Sequence, residues 1–169
     1  MPHRKSVILS EWDIKQRLKR MAYEIAEDCY NEDEVYLIGI CNKGYYLAEV
    51  LKEELKKILK AKIKLEWVKV HKPDPLKEEI ESSLKPADLS NKVLIFVDDV
   101  ANTGRTGFYA MKPFMDALPK KIRFAVLVDR KHKQFPICSD FVGLSLSTTM
   151  QENIEVEFNK EAAQSVYLN

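Results

Sequence analysis

The chain has 169 residues, 46% of them apolar and 31% charged, the composition of a globular protein with enough sequence for one proper core. Its 27 basic and 26 acidic residues leave a formal charge of +1, so no global charge pushes it toward nucleic acid or a membrane surface. Cys29, Cys41 and Cys138 are scattered and odd in number, which speaks against a disulfide framework or a cysteine metal site and for reduced thiols in a cytosol.

The chain is expected to form a single domain over residues 1–169, with no internal repeat or linker. His3, Arg4 and Lys5 precede only three apolar residues, Val7-Ile8-Leu9. That is too short for a signal peptide, and no run reaches membrane-spanning length; the expectation is a cytoplasmic protein. Ser10 reads as an N-cap with Asp13 at the capping-box position. Ile14, Leu18, Met21, Ala22, Ile25 and Cys29 follow at helical spacing, leaving Lys15, Arg17, Lys19 and Arg20 as a solvated face. Val35 to Ile40 reads as a buried strand. A helix is expected from about Tyr45 to Lys60, after the loop Cys41-Asn42-Lys43-Gly44, and Ile63 to Val70 returns as a strand. Strand, helix and strand without a hairpin turn make a right-handed βαβ unit. Residues 71–90 hold Pro73, Pro75 and Pro86 among charged residues. Such a long polar connection is expected to be a mobile loop, and Leu76 to Leu84 is compatible with a short helix.

Val93 to Val97 is a continuous apolar run, as expected of a strand covered on both faces. It ends in Asp98-Asp99, and Ala101 to Thr106 is a short polar loop ahead of a helix expected over Gly107 to Leu118, stopped by Pro119. A lone aspartate there would read as ordinary capping. Two adjacent acids before Thr103-Gly104-Arg105-Thr106 point instead to a ligand that combines hydroxyls, a metal ion and a phosphate, since ligands bind beyond the carboxyl ends of such strands and loop N–H groups entering a helix suit an anion. The loop is not a Walker A motif, because Asp99 stands where its first glycine belongs. Arg123 to Val128 and Ile154 to Phe158 read as later strands, and the tail from Asn159 as an edge segment.

Val97-Asp98-Asp99-Val100-Ala101-Asn102-Thr103-Gly104-Arg105-Thr106 resembles the phosphoribosyl-diphosphate (PRPP) signature of type I phosphoribosyltransferases. The second half narrows the resemblance. Val126-Leu127-Val128-Asp129-Arg130-Lys131-His132, Phe135-Pro136-Ile137 and Asp140-Phe141-Val142-Gly143 are similar to segments of the bacterial pyrimidine-operon attenuators that are also uracil phosphoribosyltransferases. The resemblance covers nearly the whole chain except residues 71–90.

The family implies an α/β fold with a mostly parallel sheet of four or five strands, flanked by helices and topped by a small hood. It implies transfer of the phosphoribosyl group of PRPP to a base, with uracil giving UMP and pyrophosphate. Asp98 and Asp99 would hold the ribose hydroxyls and orient Mg²⁺, and Ala101, Asn102, Thr103, Gly104, Arg105 and Thr106 would hold the 5′-phosphate. Asn42, Lys43 and Gly44 would face pyrophosphate, in a loop where the family often has a strained non-proline cis peptide. The base would rest on Val128, Arg130, Phe141 and Val142. Asn102 stands where purine enzymes usually have an aspartate, and an amide cannot act as a general base, which favours a pyrimidine. The family pattern is departed from twice: Asn42-Lys43-Gly44 replaces Thr-Arg-Gly, losing a bidentate fork, and Val70-His71-Lys72-Pro73-Asp74 replaces Tyr-Arg-Asp-Asp, leaving Lys72 as the candidate substitute for a loop arginine. The alternatives are a weakly catalytic, uridine-nucleotide-sensing RNA-binding regulator, or an enzyme for another base such as hypoxanthine or guanine. Lys52, Lys56, Lys57, Lys60, Lys62 and Lys64 are read as a solvated face rather than an RNA surface. A homodimer is expected from the family.

Overall fold

Ser10 opens the first helix as its spacing from Asp13 requires. Its Oγ accepts from the Asp13 backbone N–H, and the Asp13 carboxylate accepts from the Ser10 N–H at 2.9 Å. The computed structural model describes residues 5–149, 152–159 and 162–169; His3 and Arg4 lie outside them. Strand β1 (Ser6–Leu9) leads through this box into α1 (Glu11–Asp28). Ile14, Leu18, Met21, Ala22 and Ile25 form its buried stripe, and Cys29 is buried just beyond. The opposite side is less idle than expected. Arg17 donates to the Gly143 carbonyl at 2.7 Å, and Arg20 to the carbonyls of Val142 and Gly143 at 2.9 and 2.8 Å.

The sheet that α1 covers contains β2 (Glu34–Ile40), β3 (Lys62–Lys69), β4 (Glu81–Ser82), β5 (Val93–Ala101), β6 (Lys121–Arg130) and β7 (Phe141–Leu146). Their order is β4-β3-β2-β5-β6-β7. All neighbours are parallel except β3 and β4, so the sheet is one strand larger than the sequence suggests, the addition being a short antiparallel edge. Helix α2 (Cys41–Lys56) joins α1 on one face, and α3 (Arg105–Ala110) lies on the other. Burial of apolar strand residues on both faces is what a parallel sheet demands. At the centre Phe96 stacks on Phe124 at 5.2 Å and meets Phe114 edge-on at 5.3 Å. A second, antiparallel sheet of order β1-β9-β8 is built from β1, β8 (Ile154–Asn159) and β9 (Ala162–Leu168).

Five sequence expectations need correction. Helix α2 starts at Cys41, not Tyr45, and ends at Lys56, not Lys60. Cys41 takes a left-handed φ of 55°, which turns the chain straight from β2 into the helix, a conformation that strains a non-glycine residue. No described peptide bond is cis, so that left-handed residue occupies the turn where the family suggests a cis bond. Helix α3 is far shorter than Gly107 to Leu118. Pro113 lacks an N–H and clashes with the preceding turn, so the helix gives way to a 3₁₀ turn over Lys112–Phe114. Residues 76–84 form no helix; Glu81 and Ser82 pair with Lys69 and Val68, and Ile80 and Leu84 pack on the core. The tail is not an edge: β9 is the middle strand of the small sheet, paired with β1 and β8.

Gly44 lets the start of α2 lie against β5. A Cβ there would sit 2.2 Å from the Val97 carbonyl oxygen, which is rigid backbone. Gly44→Ala is therefore expected to lower stability by about 1–3 kcal/mol, read from denaturant unfolding; an unchanged midpoint would show that this approach is looser than drawn.

Candidate active site

The neighbours β2 and β5 send their connections opposite ways, β2 through α2 to β3 and β5 through α3 to β6. Such a switch point opens a crevice beyond the carboxyl ends of the strands. Here it is a cavity of about 880 Å³. Ile40 from β2, Lys72 and Pro73 after β3, Asp98, Val100 and the loop 101–107 line it, with Phe124, Val126, Phe135, Ile137, Ser139 and Asn153 farther along.

Asp98 and Asp99 end the apolar part of β5 and are only 5% and 6% exposed. The Asp99 backbone N–H donates to Asp98 Oδ1 at 2.9 Å. Lys72 Nζ lies 3.1 Å from Asp98 Oδ1 and 3.4 Å from Asp99 Oδ1. Lys43 Nζ is 3.9 Å from Asp99 Oδ2 and donates to the Val156 carbonyl of the small sheet at 3.0 Å. Burial pushes the Asp98 carboxyl well above the usual carboxylate range; Lys72 offsets part of this and the Asp99 charge adds to it. Burial also opposes the Asp99 charge, but Lys72, the bond with Asp98 and Lys43 together hold that carboxyl below the usual range. The two carboxyls titrate as one coupled pair, which burial and Lys72 push in opposite directions.

The loop after the pair enters α3 at Gly104, whose φ of 83° suits only glycine well. No side chain caps this helix, though Thr103 Oγ1 accepts from the Arg105 N–H at 3.3 Å. The loop is fixed from outside: the Thr103 carbonyl accepts from the N–H groups of Gln134 and Phe135 at 2.8 and 3.0 Å. Ala101, Asn102, Thr103, Gly104, Arg105 and Thr106 all line the cavity, together with Asp98. Asp99 faces Lys72 beside it.

Asn42, Lys43 and Gly44 are not cavity wall but the first turn of α2, with Lys43 reaching back to Asp99. The expected base wall is differently placed. Val128 and Phe141 point into the core beneath α1 and α2, and Val142 offers its carbonyl to Arg20. None of the three lines the cavity; Phe124 and Val126, earlier on β6, do. Arg130 is buried, and its donors go to Asn102 Oδ1 at 3.1 Å, Thr148 Oγ1 at 2.8 Å and the carbonyls of Thr149 and Glu152 at 3.0 and 2.8 Å. These bonds tie Arg130 to Asn102 and to the chain around Thr148, Thr149 and Glu152. Sequence reading also missed Ile137 and Ser139, whose buried Oγ has no hydrogen-bond partner among the described residues.

The Asp98 position carries a pH signature. A carboxyl raised above its unfolded value keeps its proton in the native state while the unfolded state has lost it. Stability then falls as pH rises from the unfolded toward the folded value. Asp98→Asn is expected to stabilise the free protein at pH 7 by about 1–3 kcal/mol. The gain should shrink toward pH 4, where both states carry the proton. Denaturant unfolding at the two pH values checks this; a destabilised variant at pH 7 would show that Lys72 outweighs the cost of burial.

Comparison with known proteins agrees with this geometry. The sequence matches the phosphoribosyl transferase domain over residues 7–159. It is 35% identical over 162 residues to the bifunctional protein PyrR of Clostridium kluyveri, covering 92% of each chain. It is 34% identical over 172 residues to that of Bacillus cereus, covering 95% of this chain and 94% of the other. In fold it is similar to a hypoxanthine-guanine phosphoribosyltransferase of Bacillus anthracis, with a TM-score of 0.71 at 20% identity over 96% of this chain and 97% of that one. It is also similar to the hypoxanthine phosphoribosyltransferase of Trypanosoma cruzi, with a TM-score of 0.73 at 16% identity over 95% of each chain. Matched over most of its length by this domain and by these relatives, the chain belongs to the type I phosphoribosyltransferase family.

Proposed function

We propose that the protein transfers the phosphoribosyl group of PRPP to uracil, giving UMP and pyrophosphate, in a cytoplasm where its three free thiols stay reduced. The observation that carries the reading is the placement of buried Asp98, with Asp99 beside it, and a loop of backbone N–H groups at one cavity. Asp98 and Asp99 would accept hydrogen bonds from the two ribose hydroxyls. The N–H groups and hydroxyls from Ala101 to Thr106 would hold the 5′-phosphate, and the first turn of α2, with Lys43, would face pyrophosphate. Holding both ends of the donor fixes the anomeric carbon between them, so that catalysis is mainly alignment and charge complementarity.

The site suits a hard cation: its donors are carboxylate oxygens, and no group of three or more ligating side chains occurs among the described residues. Mg²⁺ would then be held by Asp98 and Asp99 together with water and substrate oxygens. When bound, it would supply charge neutralisation for the departing pyrophosphate.

Asn102 supports a pyrimidine. Arg130 holds its Oδ1, which leaves the amide NH₂ as a donor at the cavity, where an aspartate would present an acceptor. An amide takes no proton from the base.

Pyrophosphate release from PRPP and Mg²⁺ is expected with uracil and not with hypoxanthine, guanine or orotate; release with a purine would overturn the choice of base. Asp99→Asn should keep its near-ultraviolet circular dichroism and lose about 100-fold or more in turnover, and unchanged turnover would remove Asp99 from its role.

The bifunctional character of the relatives supports a second reading, a regulator that senses uridine nucleotides and binds RNA. The lysines on α2 do not favour that helix as the RNA face, since Lys56 and Lys57 pair with Glu53 and Glu54 at 2.7 Å. Retention of pyrimidine leader RNA that weakens steeply with salt is the expected result for the regulator, and no retention at low salt would exclude it.

A further inference from the structure

We propose that Lys72 is a tethered cation that closes the free site to divalent metal until the phosphoribosyl donor arrives. This rests on the reading of Asp98 and Asp99 as the pair at which donor and cation meet. Lys72 Nζ contacts both oxygens of Asp98, at 3.1 and 3.4 Å, and Oδ1 of Asp99 at 3.4 Å. It fills the space between the two carboxylates where a second positive group would otherwise settle. With Lys43 on the far side of Asp99, two ammonium groups face two acids that carry at most two negative charges between them. The free pair therefore offers a divalent ion little net attraction and a like charge at contact distance.

The backbone that carries Lys72 is fastened separately. Arg105 Nη2 donates to the carbonyls of Lys72 and Pro73 at 3.1 and 3.3 Å. Both fastenings use groups assigned to the donor: the acid pair to the ribose, and Arg105 to the phosphate loop. Beyond them the strap is held locally. Asp74 N–H donates to His71 Nδ1 at 3.3 Å, Leu76 N–H donates to Asp74 Oδ1 at 3.2 Å, and residues 76–79 are exposed before β4 begins. Arrival of the phosphate competes for Arg105, and arrival of the ribose hydroxyls competes for the acids. One ligand thus releases both fastenings, and metal enters with the donor rather than before it.

The probe is Mn²⁺ alone, titrated into the full chain without PRPP and followed by electron paramagnetic resonance. Lys72→Met keeps the length of the side chain and removes its charge. It should bind Mn²⁺ at least about tenfold more tightly than the wild type, because one like charge within about 4 Å is worth that factor for a divalent ion even in a water-like dielectric. Lys72→Arg keeps the charge and should bind as weakly as the wild type. A folded Lys72→Met protein with wild-type Mn²⁺ affinity overturns the proposal. Should that variant not fold, the wild type decides: saturating Mn²⁺ should raise the acylation rate of the Lys72 amine severalfold, and an unchanged rate overturns the proposal. No base or turnover enters this test. A protein that works on uracil but fails it loses only the metal-exclusion role, and one that passes but ignores uracil loses only the base assignment.

Discussion

Two carboxylates buried side by side at the end of an otherwise apolar strand are the constraint on which the rest of this structure turns. Neither can be ionised cheaply there, and together they are worse. The structure answers with positive groups drawn from distant parts of the chain: Lys72 beyond β3 and Lys43 at the start of α2. Each brings its own element to the same point. Lys43 also reaches the small sheet through the Val156 carbonyl, so the charge problem of β5 helps to seat the hood. A fold selected for stability alone would place apolar residues at these two positions, which is why the pair is informative about chemistry.

The same point governs the backbone. For α2 to place its first turn beside β5, Gly44 must lie against the Val97 carbonyl, and Cys41 must take a left-handed turn directly after β2. The strain and the missing side chain both lie within four residues, next to the acids. Local rules are broken here, whereas α1 keeps them: it has its capping box, its apolar stripe and an i,i+4 pair between Lys15 and Glu11. Departure from local preference beside a buried acid pair is the pattern expected of a site.

That contrast explains what was legible in the sequence. α1 could be read because Ile14, Leu18, Met21 and Ile25 mark a period of a helix. The Asp98 to Thr106 loop could be read because its chemistry is written in consecutive residues. The face of β6 could not. Arg123 to Val128 is nearly all apolar, since both sides of the sheet are covered, and such a run does not say that Phe124 and Val126 face the cavity while Val128 faces the core. The role of Arg130 was hidden for another reason: its partners Thr148, Thr149 and Glu152 come from a segment with no periodicity. Pro113 was a local signal, and the apolar spacing around it masked its effect on α3.

The two arginines of α1 have a consequence for how copies of this chain can meet. Carbonyls of β7 at Val142 and Gly143 are already taken by Arg17 and Arg20. At the other border β4 is only two residues long, and the length of β3 beyond it carries Lys62, Lys64 and Glu66. Short, charged or occupied borders do not accept another strand. The borders of the main sheet are therefore poor templates for a further strand, and widening of the sheet is disfavoured as a way for copies of this chain to meet.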